Sequence, residues 1–186
     1  MLGKSHVITG ITTAICVTDT VFFGLHSDVE WFHNASKAVH DFFLDKGDMN
    51  IALFLVISVM MYFLGTLLPD VDHPQSGIGR ILHMPLAHRT WTHALWIPAI
   101  FITTGIITQR YLVFLGIGML VHDFFDSFSG SGINWLYPIK SRHYISVYTT
   151  GEFSEFLIDS LCICFTLAYT FVVLQLVYHF VNITFN

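Results

Sequence analysis

Residues Ile51–Pro74 read IALFLVISVMMYFLGTLLPDVDHP, and how this stretch is read decides the fold. From Ile51 to Leu68 there is no charged residue. A membrane-spanning helix needs about 20 mainly apolar residues, fewer where its ends lie inside protein. The run therefore reads as a spanning helix that stops at Pro69, Asp70, Asp72, His73 and Pro74. Ionisable groups at membrane depth are costly unless they are paired, hydrated or bound to an ion, so such an ending marks a functional position.

The rest of the chain agrees with a membrane setting. Hydrophobic residues make up 54% of the sequence and charged ones 11%, against about 25% charged in an average soluble domain. The mean hydropathy is +0.64. The reading is all-α: one polytopic membrane domain over residues 1–186, with about five membrane-embedded helices and an interfacial amphipathic helix. A formal charge of −5 argues against a nucleic-acid partner held through phosphate contacts. Cys16, Cys162 and Cys164 lie in apolar runs without C-x-x-C spacing, which indicates neither a disulfide framework nor a thiolate zinc site.

Five segments qualify as spans: Val7–Leu25, Ile51–Leu68, Ala94–Thr108, Tyr111–Phe125 and Phe156–Val181. The third and fourth are separated by almost no loop and form a helical hairpin. Lys4 ahead of an apolar run resembles a signal peptide, but no small-x-small site follows, so the segment is kept as a helix. Between the first two spans, Trp31, Phe32, Ala35, Val39, Phe42 and Phe43 recur at helical spacing among polar residues, the pattern of a helix lying on a membrane surface. His26, His33 and His40 on that segment read as a wet face.

With five spans, the N-terminus and the segments 69–93 and 127–155 share one side. That side carries Lys4, Arg80, Arg89, Lys140 and Arg142, and the other Lys37, Lys46 and Arg110. The bias places the first side in the cytoplasm. His6, Asp70, Asp72, His88, His93, His122, Asp126, Glu152 and Glu155 all fall on it. His122 and Asp126 in HDFFD are four apart and share a helix face, which suits either a hydrogen-bonded pair or two ligands of one ion. Asp123 leaves that face and is expected to meet a partner or water. Pro69 and Pro74 disfavour helix, so Asp70 and Asp72 are expected in extended geometry, pointing the same way toward a cation, or in an Asp-rich turn. His88 is expected in a loop and His93 on the first turn of the third span. Thr149 and Glu152 match a capping box for the last helix, whereas Glu155 is free to face inward. Together these nitrogen and carboxylate donors fit a site for one to three divalent ions: zinc, manganese or iron.

The motifs GTLLPDVDHPQS, HRTWTHA and HDFFDSFSGSGINWLYP resemble, in order and spacing, the YdjM-like family of inner-membrane-associated proteins assigned as metal-dependent hydrolases. The resemblance runs from His6 to about Glu155. It implies a metal centre of His6, Asp70, Asp72, His88, His93, His122 and Asp126, with Glu155 matching a glutamate that follows a glycine. Thr90 replaces a usual glycine, and Ser129-Gly130 an often-seen Thr-Pro; both departures bear on loop geometry and hence on substrate. A more distant likeness to zinc-dependent phospholipase C, also helical with a His-x-x-x-Asp pair, bears only on reaction class.

The expectation is a phosphoesterase acting through metal-activated water on a phospholipid or polyprenyl phosphate in the bacterial inner membrane. Asp72, Glu155 and Arg89 are the catalytic candidates, and Arg89, Lys140 and Arg142 the cations for an anionic headgroup. The alternatives are a divalent-metal transporter, which would place donors near the bilayer midplane, and a scaffold with a structural metal. A zinc protease is disfavoured because no HExxH helix is present.

Overall fold

In a computed structural model, the described residues are 3–44, 49–82, 87–139 and 145–185, without the side chains at 177 and 179–185. Lys140 and Arg142, like His83 and His143, lie outside the described residues. Seven α-helices are present among the described residues: α1 (Gly3–Leu25), α2 (Glu30–Leu44), α3 (Ile51–Leu67), the short α4 (Gly79–Leu82), α5 (Trp96–Ile107), α6 (Tyr111–Asp126) and α7 (Phe153–Phe185). The chain is an all-α bundle, as its composition foretells.

Three helices are long and apolar enough to cross a membrane: Gly3–Leu25, Ile51–Asp72 (α3 with the turn that extends it) and Phe153–Leu176. At 1.5 Å per residue, α5 is only about 18 Å long and α6 about 24 Å, short of a hydrocarbon layer of about 30 Å. They form the expected hairpin, and α6 fills the centre between α5 and α3. Asn50 starts α3, its Oδ1 accepting from the Ala52 N–H at 2.9 Å and the Leu53 N–H at 3.4 Å; such a cap stabilises by about 1 kcal/mol.

Two glycines set the crossing of α3 and α6. A Cβ on Gly65 would sit 2.2 Å from the Leu115 carbonyl oxygen, and one on Gly118 would sit 2.2 Å from that of Tyr62. Backbone therefore meets backbone, the packing that small residues permit between membrane helices. Gly65 lies five residues before Asp70 and Gly118 four before His122, so this contact fixes how far apart those two donors stand.

Helices α1 and α7 run side by side in the same direction. Ser5 donates to Asp159 at 2.8 Å, Thr166 donates to Thr12 at 2.9 Å, and the hydroxyls of Thr20 and Tyr169 are 2.7 Å apart. Asp159 is thus level with the first turn of α1. Helix α2 crosses the far end of the bundle. There the Arg110 guanidinium lies 4.3 Å from the centre of the Phe42 ring, and Phe43 packs on Phe114. Trp31 and Val39 remain exposed, in line with an amphipathic surface helix.

Candidate metal centre

The expected donors meet at one end of the bundle, delivered by helix ends and by the turns and loop beside them. His6 lies on the first turn of α1, and Asp70 and Asp72 on the turn after α3. His88 precedes α5 in a loop, as expected. His93 ends a separate 3₁₀ turn, Trp91–His93, rather than opening α5. His122 and Asp126 occupy the last turns of α6.

The extended geometry expected for Asp70 and Asp72 is not found. Leu68–Asp72 forms a 3₁₀ turn with Pro69 in its first positions, closed by the His73 N–H bonding the Asp70 carbonyl at 3.0 Å. A proline at the start of a turn sacrifices no hydrogen bond and pre-sets φ. Residues two apart on a 3₁₀ turn diverge, and the two carboxylates take different roles. Asp70 Oδ1 faces His122 Nε2 at 3.7 Å. Asp72 accepts from His88 Nδ1 at 2.7 Å, from the Arg89 N–H at 3.2 Å and from the Thr92 hydroxyl at 2.6 Å.

These bonds decide which imidazole nitrogens carry protons. A carboxylate can only accept, so His88 Nδ1 is the donor. His122 Nδ1 lies 2.8 Å from the Thr66 carbonyl oxygen, so it too carries its proton. Thr92 gives its single proton to Asp72, and its oxygen, 3.0 Å from His93 Nδ1, therefore accepts from that ring. In all three histidines Nδ1 is the protonated nitrogen and Nε2 keeps its lone pair, the arrangement by which outer hydrogen bonds orient metal ligands.

The consequence is visible at the centre. His93 Nε2 and His122 Nε2 stand 3.2 Å apart, two lone pairs face to face with no proton between them. Four ligands at a zinc–nitrogen distance of about 2.0–2.1 Å in tetrahedral array would be spaced by about 3.3 Å. Around this pair, His6 Nε2 is 3.4 Å from Asp126 Oδ1, and His93 Nε2 is 3.8 Å from Asp126 Oδ2. The His6 ring stacks on His122 at 3.6 Å, and neither of its buried nitrogens makes a hydrogen bond. Three overlapping sets bring their donor atoms within 4.8 Å of one another: His6, Asp70 and His122; Asp70, His88 and His93; His93, His122 and Asp126. Asp70, Asp72 and Asp126 are buried here with Arg89 as the one buried guanidinium among the described residues, an excess of carboxylate that buried sites rarely tolerate without a cation. The donor set fits a divalent ion.

Arg89 is part of this frame. Its guanidinium donates to Asp126 Oδ2 at 3.0 Å, to the Ser129 hydroxyl at 2.8 Å and to the Gly132 carbonyl at 3.3 Å, and the residue is 6% exposed. Its φ of 63° is uncommon for a side chain of this size and is held by the bonds at both ends. Glu155, 2% exposed, bonds the Gly151 N–H through Oε2 at 2.6 Å. The capping expectation thus needs correction. Helix α7 starts at Phe153, and the carboxylate reaching back over its first turn is Glu155, not Glu152. Asp123 is also fully buried, and neither of its oxygens meets a hydrogen-bond donor among the described residues. Burial, and next the neighbouring His122, hold the His93 imidazole well below the ordinary histidine range, so it is neutral and ready to act as a ligand. Burial pushes the Tyr148 phenol up, which keeps its hydroxyl proton on the Phe125 carbonyl at 2.9 Å.

A cavity of about 1020 Å³ opens above the donors. Asp70, His88 and Arg89 line it, together with Lys4, His73 and Arg80. His73, whose ring lies 4.6 Å from His88, was read from sequence only as part of the ending of the second span, and Thr92 and Thr66 were not singled out. Thr92 directly precedes a predicted ligand and His73 directly follows one. Thr66 acts through its backbone and left no such signal. His26, His33 and His40 join no donor cluster among the described residues.

Comparison with known proteins agrees with this picture. The chain is 37% identical to the protein named "Uncharacterized protein YvsG" of Bacillus subtilis (strain 168), across 85% of this chain and 87% of that one. No solved structure matches. The YdjM inner membrane protein family matches residues 1–185, from the turn before His6 through the whole of α7, and the chain belongs to that family.

Proposed function

We propose that this protein is a single-domain, multi-pass enzyme of the bacterial inner membrane, a metal-dependent hydrolase that cleaves a phosphoester of a membrane lipid, with its centre toward the cytoplasm. The observation that carries the reading is the 3.2 Å approach of His93 Nε2 and His122 Nε2, both held as lone-pair donors by Thr92 and Thr66. His6, Asp70, His88, His93, His122 and Asp126 would hold the metal, zinc being the first expectation for this imidazole and carboxylate set. A divalent ion bound there lowers the pKa of coordinated water to about 7 and polarises a phosphoryl oxygen.

The chain's own residues supply the rest. Asp72 positions His88 and His93 rather than accepting a proton, since its oxygens already take three hydrogen bonds. Asp70 lines the cavity, and its carboxylate oxygen not engaged by the metal would accept a proton from water entering there. Arg89 fixes Asp126 and ties it to Ser129 and Gly132. Glu155 secures the first turn of α7 beside His6.

Two features favour an enzyme over the alternatives. The donors gather at one end of the helices, whereas a transporter would be expected to hold them near mid-depth. A large cavity reaches Asp70 and His88, and a purely structural ion would be closed off by its ligands.

The test begins with metal analysis of the protein purified in mild detergent and reconstituted with zinc, manganese or iron. Stoichiometric metal is expected, lost in His122→Ala and Asp126→Ala, together with chelator-sensitive release of phosphate or headgroup from a panel of lipid phosphoesters. Failure of the reconstituted wild type to hold any metal would end the proposal. Metal flux into proteoliposomes without hydrolysis would move it to transport.

A further inference from the structure

The cavity above the centre has an electrostatic pattern that the metal donors do not explain. Three side chains in its wall carry a fixed positive charge: Lys4, Arg80 and Arg89. Arg89 is spent, its guanidinium bonded to Asp126, Ser129 and Gly132. Lys4 and Arg80 pair with no carboxylate among the described residues, and both are exposed to solvent. Lys4 comes from the first turn of α1 and Arg80 from α4.

The loop that carries Arg80 is built rather than loose. Ser76 Oγ donates to the Asp70 carbonyl at 2.7 Å and accepts the Gly79 N–H at 2.8 Å, tying residues 76–80 to the same turn that presents Asp70. A Cβ at position 79 would lie 2.0 Å from the His73 carbonyl, so the loop closes tightly there. His73, Gln75, Ser76, Ser131 and Thr150 add polar groups to the wall. Val7 and Leu67, one from α1 and one from α3, add apolar groups to the wall. The cavity wall therefore combines exposed cations, apolar side chains and two of the candidate metal donors, Asp70 and His88. Its volume is at the upper end of pockets that enclose a small ligand, about 300–1,000 Å³.

We propose that Lys4 and Arg80, with His73 beside them, form a phosphate-binding subsite at the mouth of this cavity. The substrate class is then an anionic phosphate ester whose apolar portion lies along Val7 and Leu67. Identification of that anion as a substrate rests on the hydrolase reading; the binding site itself does not. Specificity for the phosphate thus resides in α1 and the 73–82 loop, and Arg89 is a positioning residue.

Binding decides it. Metal-loaded protein in phosphatidylcholine nanodiscs is titrated with inorganic phosphate by calorimetry, and its retained lipids are compared by native mass spectrometry in discs with and without phosphatidic acid. Removing one cation near an anionic group weakens binding by about fivefold, so Lys4→Gln and Arg80→Gln should each show that loss. The double variant should show a larger one, while Arg80→Lys stays near wild type and all keep their metal. Loss confined to inorganic phosphate identifies a soluble phosphate ligand, and loss confined to retained phosphatidic acid a lipid headgroup; either supports the subsite. Wild-type binding in the double variant, or no binding of either probe to the wild type, overturns it. If the lipid panel shows no hydrolysis while phosphate binding still depends on Lys4 and Arg80, only the hydrolase reading falls. Hydrolysis with an unchanged KM in the double variant removes only the subsite.

Discussion

Thr92 shows how much of the centre depends on single protons. Its hydroxyl connects His93 Nδ1 to Asp72 Oδ2, a relay that leaves the His93 Nε2 lone pair facing inward. Loss of such an outer partner typically costs 10–100-fold in metal affinity. Thr92→Val keeps the shape and removes the relay, so its zinc affinity should fall by about tenfold in competition with a chromophoric chelator, and Thr92→Ser should restore it. Protons also enter through His93 itself. Its folded-state pKa lies below the unfolded value of about 6.5, so the unfolded chain binds the extra proton first as the medium acidifies. The stability tied to the neutral ring is present above about pH 6.5 and declines as pH falls through and below that value. The thermal midpoint of metal-free protein in detergent should therefore drop from pH 7 toward pH 5, with a shallower drop in His93→Gln.

At the scale of helices, the Gly65–Gly118 contact sets the spacing of the donors. Gly118→Ala would place a methyl group 2.2 Å from the Tyr62 carbonyl oxygen, and such overpacking costs about 1–3 kcal/mol. The variant should melt earlier and hold less metal, whereas Gly3→Ala, with nothing within 4 Å of its Cβ, should do neither. The apolar runs made the long helices legible in the sequence, and the four-residue spacing of His122 and Asp126 correctly put both on one face. After α3 the sequence left an extended segment and an Asp-rich turn both open, and the structure takes the turn: proline excludes a continuing α-helix yet admits a 3₁₀ turn, a choice that depends on closure of the His73–Asp70 bond. Glu152 was favoured as the cap because Thr-x-x-Glu is a local pattern, while the actual start of α7 is set by how the 145–151 segment returns to Phe128. The part played by Thr66 was not legible, since a backbone carbonyl carries no residue signature.

For the whole molecule, the gathering of donors at one end of the bundle makes orientation testable. In a background without the natural cysteines, Ser76→Cys and Ser131→Cys should react with an impermeant thiol reagent from the same membrane face, and Gln109→Cys, in the α5–α6 turn at the far end, from the opposite one. Reaction of positions 76 and 131 from different faces would contradict the arrangement. That donors would collect on one side could be read by counting spans. That α1 and α7 lie together in parallel could not, because it depends on pairings such as Ser5 with Asp159 across almost the whole sequence.

This pairing bears on how the protein is made. The first helix supplies His6, the last packs beside it, and the remaining donors arrive in between, so a nascent chain halted before α7 has all six candidate donors but lacks the helix that flanks α1. On the proposed reading an ion would be enclosed only once α7 is in place, and its capture would then mark a chain inserted to completion.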